Sequence, residues 1–161
     1  MRIKEYMEFC RSVSRYPKET EFDDLSLGLI GEIGEFANKL KKVNRDDGGK
    51  ITGHKRRALI LELGDALWYT IRLADVLGYE LGFPGYEHFH CYRCVKVTKL
   101  PALVRLASKI ASAFEPVPLL YVFADIGDHL GATLGYVAQE NMAKLKGRAA
   151  TGTLHGEGDH R

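Results

Sequence analysis

Glu32, Glu35, Glu62 and Asp65 form two acid-x-x-acid pairs, one on each of two successive segments with helical apolar periodicity. At about 100° per residue, Leu25, Leu29, Ile33, Phe36 and Leu40 of the first segment fall in a sector of roughly 80°, its core-facing stripe. Glu32 projects only about 20° outside that sector, and Glu35 a further 60° or so around on the same side. On the second segment Leu59, Leu63, Ala66, Leu67, Thr70, Leu73, Ala74 and Leu77 make the stripe. Glu62 and Asp65 run along its edge, followed by Tyr69 and Arg72. An unpaired carboxylate beside a core is costly to desolvate, so these acids need compensation. One reading pairs them with Lys39, Lys42 or Arg72. The other folds the two helices antiparallel, so that four carboxylates share one cleft and a hard cation holds them. Oxygen-rich donor sets suit Mg²⁺ or Mn²⁺.

The elements that must position these acids are read as helices over about 3–15, 25–42, 55–78, 101–114, 119–130 and 133–147. Pro17 ends the first, and Asp23 or Asp24 is the expected N-cap of the second. The run NRDDGGKITG at 44–53 reads as the connecting loop, because Asn, Asp and Gly cluster there. LGFPGYEHFHCYRC at 81–94 is irregular, and Pro116 and Pro118 are expected to break the chain after the fourth helix. Only VKVT at 95–98 hints at a strand, so the fold class is all-α, a helix bundle. Trp68 faces roughly away from its helix's core stripe and is expected to be covered by another helix or by a partner subunit.

LGLIGEIGEFANKLKK at 27–42 followed by ELGDALWYTIRLADVLG at 62–78 resembles the MazG-like nucleoside triphosphate pyrophosphohydrolases of the all-α NTP pyrophosphatase superfamily. Their pattern is E-E-x-x-E, a spacer, then E-x-x-D. Glu32, Glu35, Glu62 and Asp65 match four positions, and Gly31 stands where the first Glu would be. NMAKLKGRAATGTLHGEGDHR at 141–161 is similar to the ending of the short members of that family. The resemblance implies one domain over 1–161, a segment inserted at about 84–128, and a flexible tail at about 151–161. It also implies hydrolysis of an NTP or dNTP to the monophosphate and pyrophosphate, with Mg²⁺ or Mn²⁺ on the four acids. The substrate-binding residues are expected to be Lys39, Lys42, Tyr69, Asn141, Lys144, Arg148, Asp159 and Arg161. An amide and two cations on one face of the last helix suit a polyphosphate. Tyr6 or Phe9 are the aromatics expected to take part in base selection. Two alternatives are a catalytically inactive helical interaction protein of the same fold and a phosphoribosyl-ATP pyrophosphohydrolase-like activity. A homo-oligomer, dimer or tetramer, is expected.

Composition narrows the field. The 161 residues carry 23 Lys and Arg against 21 Asp and Glu, interspersed, with no basic face for nucleic acid or an anionic membrane. No stretch approaches the roughly 20 apolar residues of a membrane span. The N-terminal residues lack an apolar signal-peptide core, and three cysteines are too few for a disulfide scaffold. These features point to the cytoplasm. Cys91 and Cys94, with His88 and His90, offer zinc-ligand types but from a single short run. The competing reading is a loop whose cysteines pack as small hydrophobes.

Overall fold

A computed structural model describes residues 1–82, 84–89 and 99–153. Six α-helices are present among them: α1 (Ile3–Val13), α2 (Glu21–Asp46), α3 (Gly53–Val76), α4 (Leu100–Ser112), α5 (Pro116–His129) and α6 (Leu134–Ala150). The fold is all-α, as the periodicity predicts. No described helix is long and apolar enough to cross a membrane.

Helix α2 has favourable charge at its start. Glu21, Asp23 and Asp24 occupy the first turn of α2, where acids complement the positive end of the helix dipole. The helix therefore starts before Asp23 and Asp24 and not after them, and no side chain caps it at Thr20. Past its last turn, Gly48 and Gly49 take φ of 58° and 82° and reverse the chain. Pro116 opens α5 at the first-turn position where its missing N–H costs nothing. The prolines expected to break the chain thus start a helix. Thr133 caps α6 by accepting a hydrogen bond from the Tyr136 N–H at 3.2 Å.

Helices α2, α3, α5 and α4 close into a ring, α2 packing on α3 and α4, and α5 on α3 and α4. Ile33 and Phe36, Leu63 and Ala66, Val104, and Phe123 meet at its centre. Helices α1 and α6 lie on another side of α3 and touch each other. Helix α3 is thus shared between two layers and buries residues around most of its circumference. Trp68 is accordingly covered within the chain, 8% exposed, against Tyr16 and Tyr69. Of the two coverings expected for it, within the chain or by a partner subunit, the first is what the structure has. A single helical wheel assumes one buried face, and α3 has more than one.

A charged network locks the ends of three elements. Buried Arg72 pairs with Glu21 at the start of α2 and with Asp75 one turn on, and Arg11 of α1 donates to Asp75 at 2.8 Å. Removing one partner from a buried pair typically costs about 3–5 kcal/mol. Arg72 is therefore a tie between helices and does not serve the acid cluster.

Candidate active site

Glu32 and Glu35 project from α2 and Glu62 from α3, where the two helices pack together. One carboxylate oxygen from each lies within 4.8 Å of the others. Glu35 is exposed, while Glu32 and Glu62 are half-buried. Lys39, one turn beyond Glu35, approaches Glu62 at 3.3 Å. The structure thus brings three of the four expected acids together and adds Lys39 at their edge. Lys42 is exposed, and its charge acts on Asp46.

Asp65 stands outside that group of three, engaged from α6. Its Oδ1 accepts from the Asn141 amide at 2.8 Å, and its Oδ2 accepts from the Lys144 ammonium. Asn141 is fully buried, and its own oxygen accepts from the Tyr6 hydroxyl at 2.7 Å. Gly64, between Glu62 and Asp65, allows this approach: a Cβ there would come within 3.0 Å of the Asn141 Cβ. Arg148 is half-buried, and its charge favours the ionised form of Asp65.

Like charges at this density leave a mark on the titration of the group. Burial, then the charges of Asp65, Glu62 and Glu35, push the Glu32 carboxyl up to about 8, with Lys144 opposing. Burial also raises Asp65 from its ordinary value, and Lys144 opposes it. Such a site binds a proton or a cation readily. Three converging carboxylates are hard oxygen donors, which fits a divalent ion such as Mg²⁺ or Mn²⁺.

A family described as the MazG nucleotide pyrophosphohydrolase domain matches residues 20–89. Gene 37 protein of Mycobacterium phage L5 is 39% identical over 83 residues, covering 48% of this chain and 73% of that protein. The chain belongs to the MazG family. No solved structure matches it significantly. The MazG match takes in α2 and α3 and all four acids, and it ends before α4.

One neighbour of the acid cluster is aromatic. The Tyr69 ring packs against α2 at Gly28, where a Cβ would fall 2.2 Å from the ring. Its hydroxyl hydrogen-bonds the Tyr16 hydroxyl at 2.9 Å, and Trp68 meets it edge-on at 5.0 Å. Burial, then the Tyr16 hydrogen bond, hold the Tyr69 hydroxyl firmly protonated, and the charges of Glu32 and Asp65 add to this. Tyr16 went unnoticed in the sequence because it lies in the non-periodic link between α1 and α2; an aromatic just before Pro17 was the only signal. Tyr6 is fully buried beneath Asn141, so it does not line a base pocket as expected. Asp159 and Arg161, and Cys91, Cys94 and His90 of the zinc reading, lie outside the described residues. His88 bridges to Arg2 through the backbone.

Proposed function

We propose that the protein hydrolyses a nucleoside or deoxynucleoside triphosphate to the monophosphate and pyrophosphate, with Mg²⁺ or Mn²⁺. The observation that carries this is the convergence of Glu32, Glu35 and Glu62 beside an Asp65 held by Asn141 and Lys144. Water adds to the α-phosphorus, the α–β anhydride bond breaks, and pyrophosphate leaves with the bonding electrons. The proton lost by water passes to a carboxylate.

Glu32, Glu35, Glu62 and Asp65 are the residues that would hold the cation. It supplies charge neutralisation of the triphosphate and a more acidic water. Lys39 and Lys144 already lie against the acids and are placed to meet phosphate oxygens, with Arg148 one turn beyond Lys144. Cations arranged in advance stabilise charge on the transferring and leaving groups without reorganising during reaction. Tyr69, Trp68 and Tyr16 form an apolar wall that limits water on that side. This reading sets the protein in a cytoplasmic nucleotide pool, as a homo-oligomer.

The test is pyrophosphate release from each NTP and dNTP and from phosphoribosyl-ATP, with Mg²⁺ and with chelator. The expected result is Mg²⁺-dependent, equimolar monophosphate and pyrophosphate from an NTP or dNTP. Release of inorganic phosphate instead, or no turnover of any nucleotide, would overturn the proposal.

A further inference from the structure

Tyr6 is the largest of the fully buried side chains among the described residues, and it buries a hydroxyl. Phenylalanine would fill the same space on α1 without the cost of burying an O–H. The hydroxyl instead donates to the Asn141 oxygen at 2.7 Å, across 135 residues of sequence. Cys10, one turn along α1, is its neighbour on the same helix and interacts with it. Asn141 then donates its amide N–H to Asp65 at 2.8 Å. The three groups form one directional chain from α1 through α6 to α3.

The direction matters because an amide is ambiguous about its own long axis. Rotation about its last side-chain torsion has broad minima, and a half-turn exchanges the oxygen for the NH₂. An ionised carboxylate accepts only, so an amide oxygen turned towards Asp65 would repel it. A donor fixed on the far side of the amide selects the orientation that suits Asp65. Tyr6 supplies that donor from a position where water cannot compete. Gly64 contributes the close approach, since a Cβ there would stand 3.0 Å from the Asn141 Cβ and 3.4 Å from the Val137 carbonyl oxygen.

We propose that Tyr6 is a positioning residue: its buried hydroxyl sets the Asn141 amide, which holds the Asp65 carboxylate beside the Glu32, Glu35 and Glu62 group. The proposal rests on the metal-site reading above and deepens it. Lys144 occupies the second oxygen of Asp65, so Asn141 and Lys144 together fix both ends of the carboxylate. Each oxygen retains a further lone pair for a cation. Without the Tyr6 hydroxyl the amide samples both orientations, and Asp65 loses its fixed direction. Tyr6 never meets substrate or cation in this scheme.

The experiment compares Tyr6→Phe with Ile3→Val, a truncation of another fully buried side chain of α1. Mn²⁺ binding to the nucleotide-free protein is read by electron paramagnetic resonance, alongside thermal midpoints. Losing one net hydrogen bond corresponds to roughly a fivefold to tenfold change in an equilibrium. Tyr6→Phe should weaken Mn²⁺ binding by that factor and raise the Mg²⁺ midpoint of turnover similarly. Nucleotide KM at saturating Mg²⁺ should stay put. Ile3→Val should leave Mn²⁺ affinity unchanged. Unaltered Mn²⁺ affinity in Tyr6→Phe, or an equal loss in Ile3→Val, would overturn the proposal, as would a wild-type protein whose Mn²⁺ binding is indifferent to Asp65→Asn. Should Tyr6→Phe fail to fold, the wild-type Asn141 side-chain amide protons decide. Slow exchange and a single orientation by NMR support the proposal, and an exchange-averaged signal refutes it. Failure of the pyrophosphohydrolase reading looks different: no pyrophosphate is released while the Mn²⁺ effect of Tyr6→Phe persists.

Discussion

Replacing Glu32 with glutamine should stabilise the metal-free protein at alkaline pH while removing its response to Mg²⁺. Burial and the three neighbouring acids hold the Glu32 carboxyl at about 8 in the folded chain, against 4.5 for an unperturbed group. The folded state therefore keeps a proton that the unfolded state gives up. Below the unfolded value the two states are equally protonated and nothing is lost. As pH rises from there towards 8 the folded state loses stability relative to the unfolded one, and above 8 the loss is complete. Each pKa unit corresponds to 1.36 kcal/mol, so the displacement sets an upper bound of about 5 kcal/mol. Partial exposure and screening reduce it, and a recovery of about 1–3 kcal/mol is the expected gain in Glu32→Gln at pH 8. For a chain of this length that is a rise of roughly 3–10 °C in thermal midpoint.

The assay is thermal unfolding at pH 5 and pH 8, with chelator and then with Mg²⁺. Wild type should lose stability between pH 5 and pH 8 with chelator and regain it when Mg²⁺ replaces the missing positive charge. Glu32→Gln should show a flatter pH dependence, a higher midpoint at pH 8 with chelator, and little gain from Mg²⁺. A lower midpoint than wild type at pH 8 with chelator would refute the reasoning. It would mean that the ionised carboxylate is satisfied by the protein itself and that the acids are not a strained donor set.

Glu35→Gln and Asp65→Asn should each lower pyrophosphate release by well over the roughly 10–100-fold typical of losing an outer-sphere partner, with helical content by circular dichroism unchanged. Wild-type turnover in either variant would remove these residues from the site. Gly28→Ala should destabilise the fold and raise nucleotide KM, because the Tyr69 ring must leave the Tyr16 hydroxyl to admit a Cβ that would lie 2.2 Å from it. Helix propensity alone favours alanine by about 1 kcal/mol, so a rise in thermal midpoint would show that the ring moves freely. The self-association proposed for the chain no longer draws on Trp68, but Leu27 and Ile30 on the outer face of α2 are 69% and 47% exposed. Leu27→Arg should shift a dimer or tetramer in sedimentation towards the 18.0 kDa chain, and a wild type that sediments only at that mass would end the proposal.

The sequence made the acids legible because Glu32 interrupts a helical apolar stripe at its edge, a place where a charged residue needs a reason. Asn141 and Lys144 were legible only through the family resemblance, since an amide and a lysine near the end of a helix are ordinary in themselves. Their actual arrangement, both on Asp65, required the packing of α6 on α3. Tyr6 carried no such signal, because periodicity marks an inward aromatic but not what its hydroxyl touches. Arg72 looked like a flank residue of the acid pair, and only the meeting of α1, α2 and α3 makes it a buried tie to Glu21 and Asp75. Tyr16 lies where no periodicity exists, and Trp68 sits on a helix whose burial exceeds what one periodic stripe can encode, which left its covering open between this chain and a partner.

The placement of the acids also says where the energy that holds them together comes from. Glu32 adjoins Ile33, and Glu62 and Asp65 flank Leu63 and Gly64. Ile33 and Leu63 are buried where α2 and α3 meet α4 and α5. Fully burying such side chains is worth about 1.5–3 kcal/mol each. Those neighbours keep the two backbones together against the repulsion of carboxylates that lie within 4.8 Å. The α4–α5 hairpin contributes to the same end, since it closes the ring around α2 and α3. On the proposed reading, a site assembled this way is strained towards binding a cation. The strain falls on the titration of Glu32, and the apolar residues one position away hold the geometry. Substitutions at Ile33 or Leu63 should therefore loosen the carboxylate spacing and weaken Mn²⁺ binding before they unfold the chain. Substitutions at the acids should do the reverse, leaving the fold intact or firmer as the function goes.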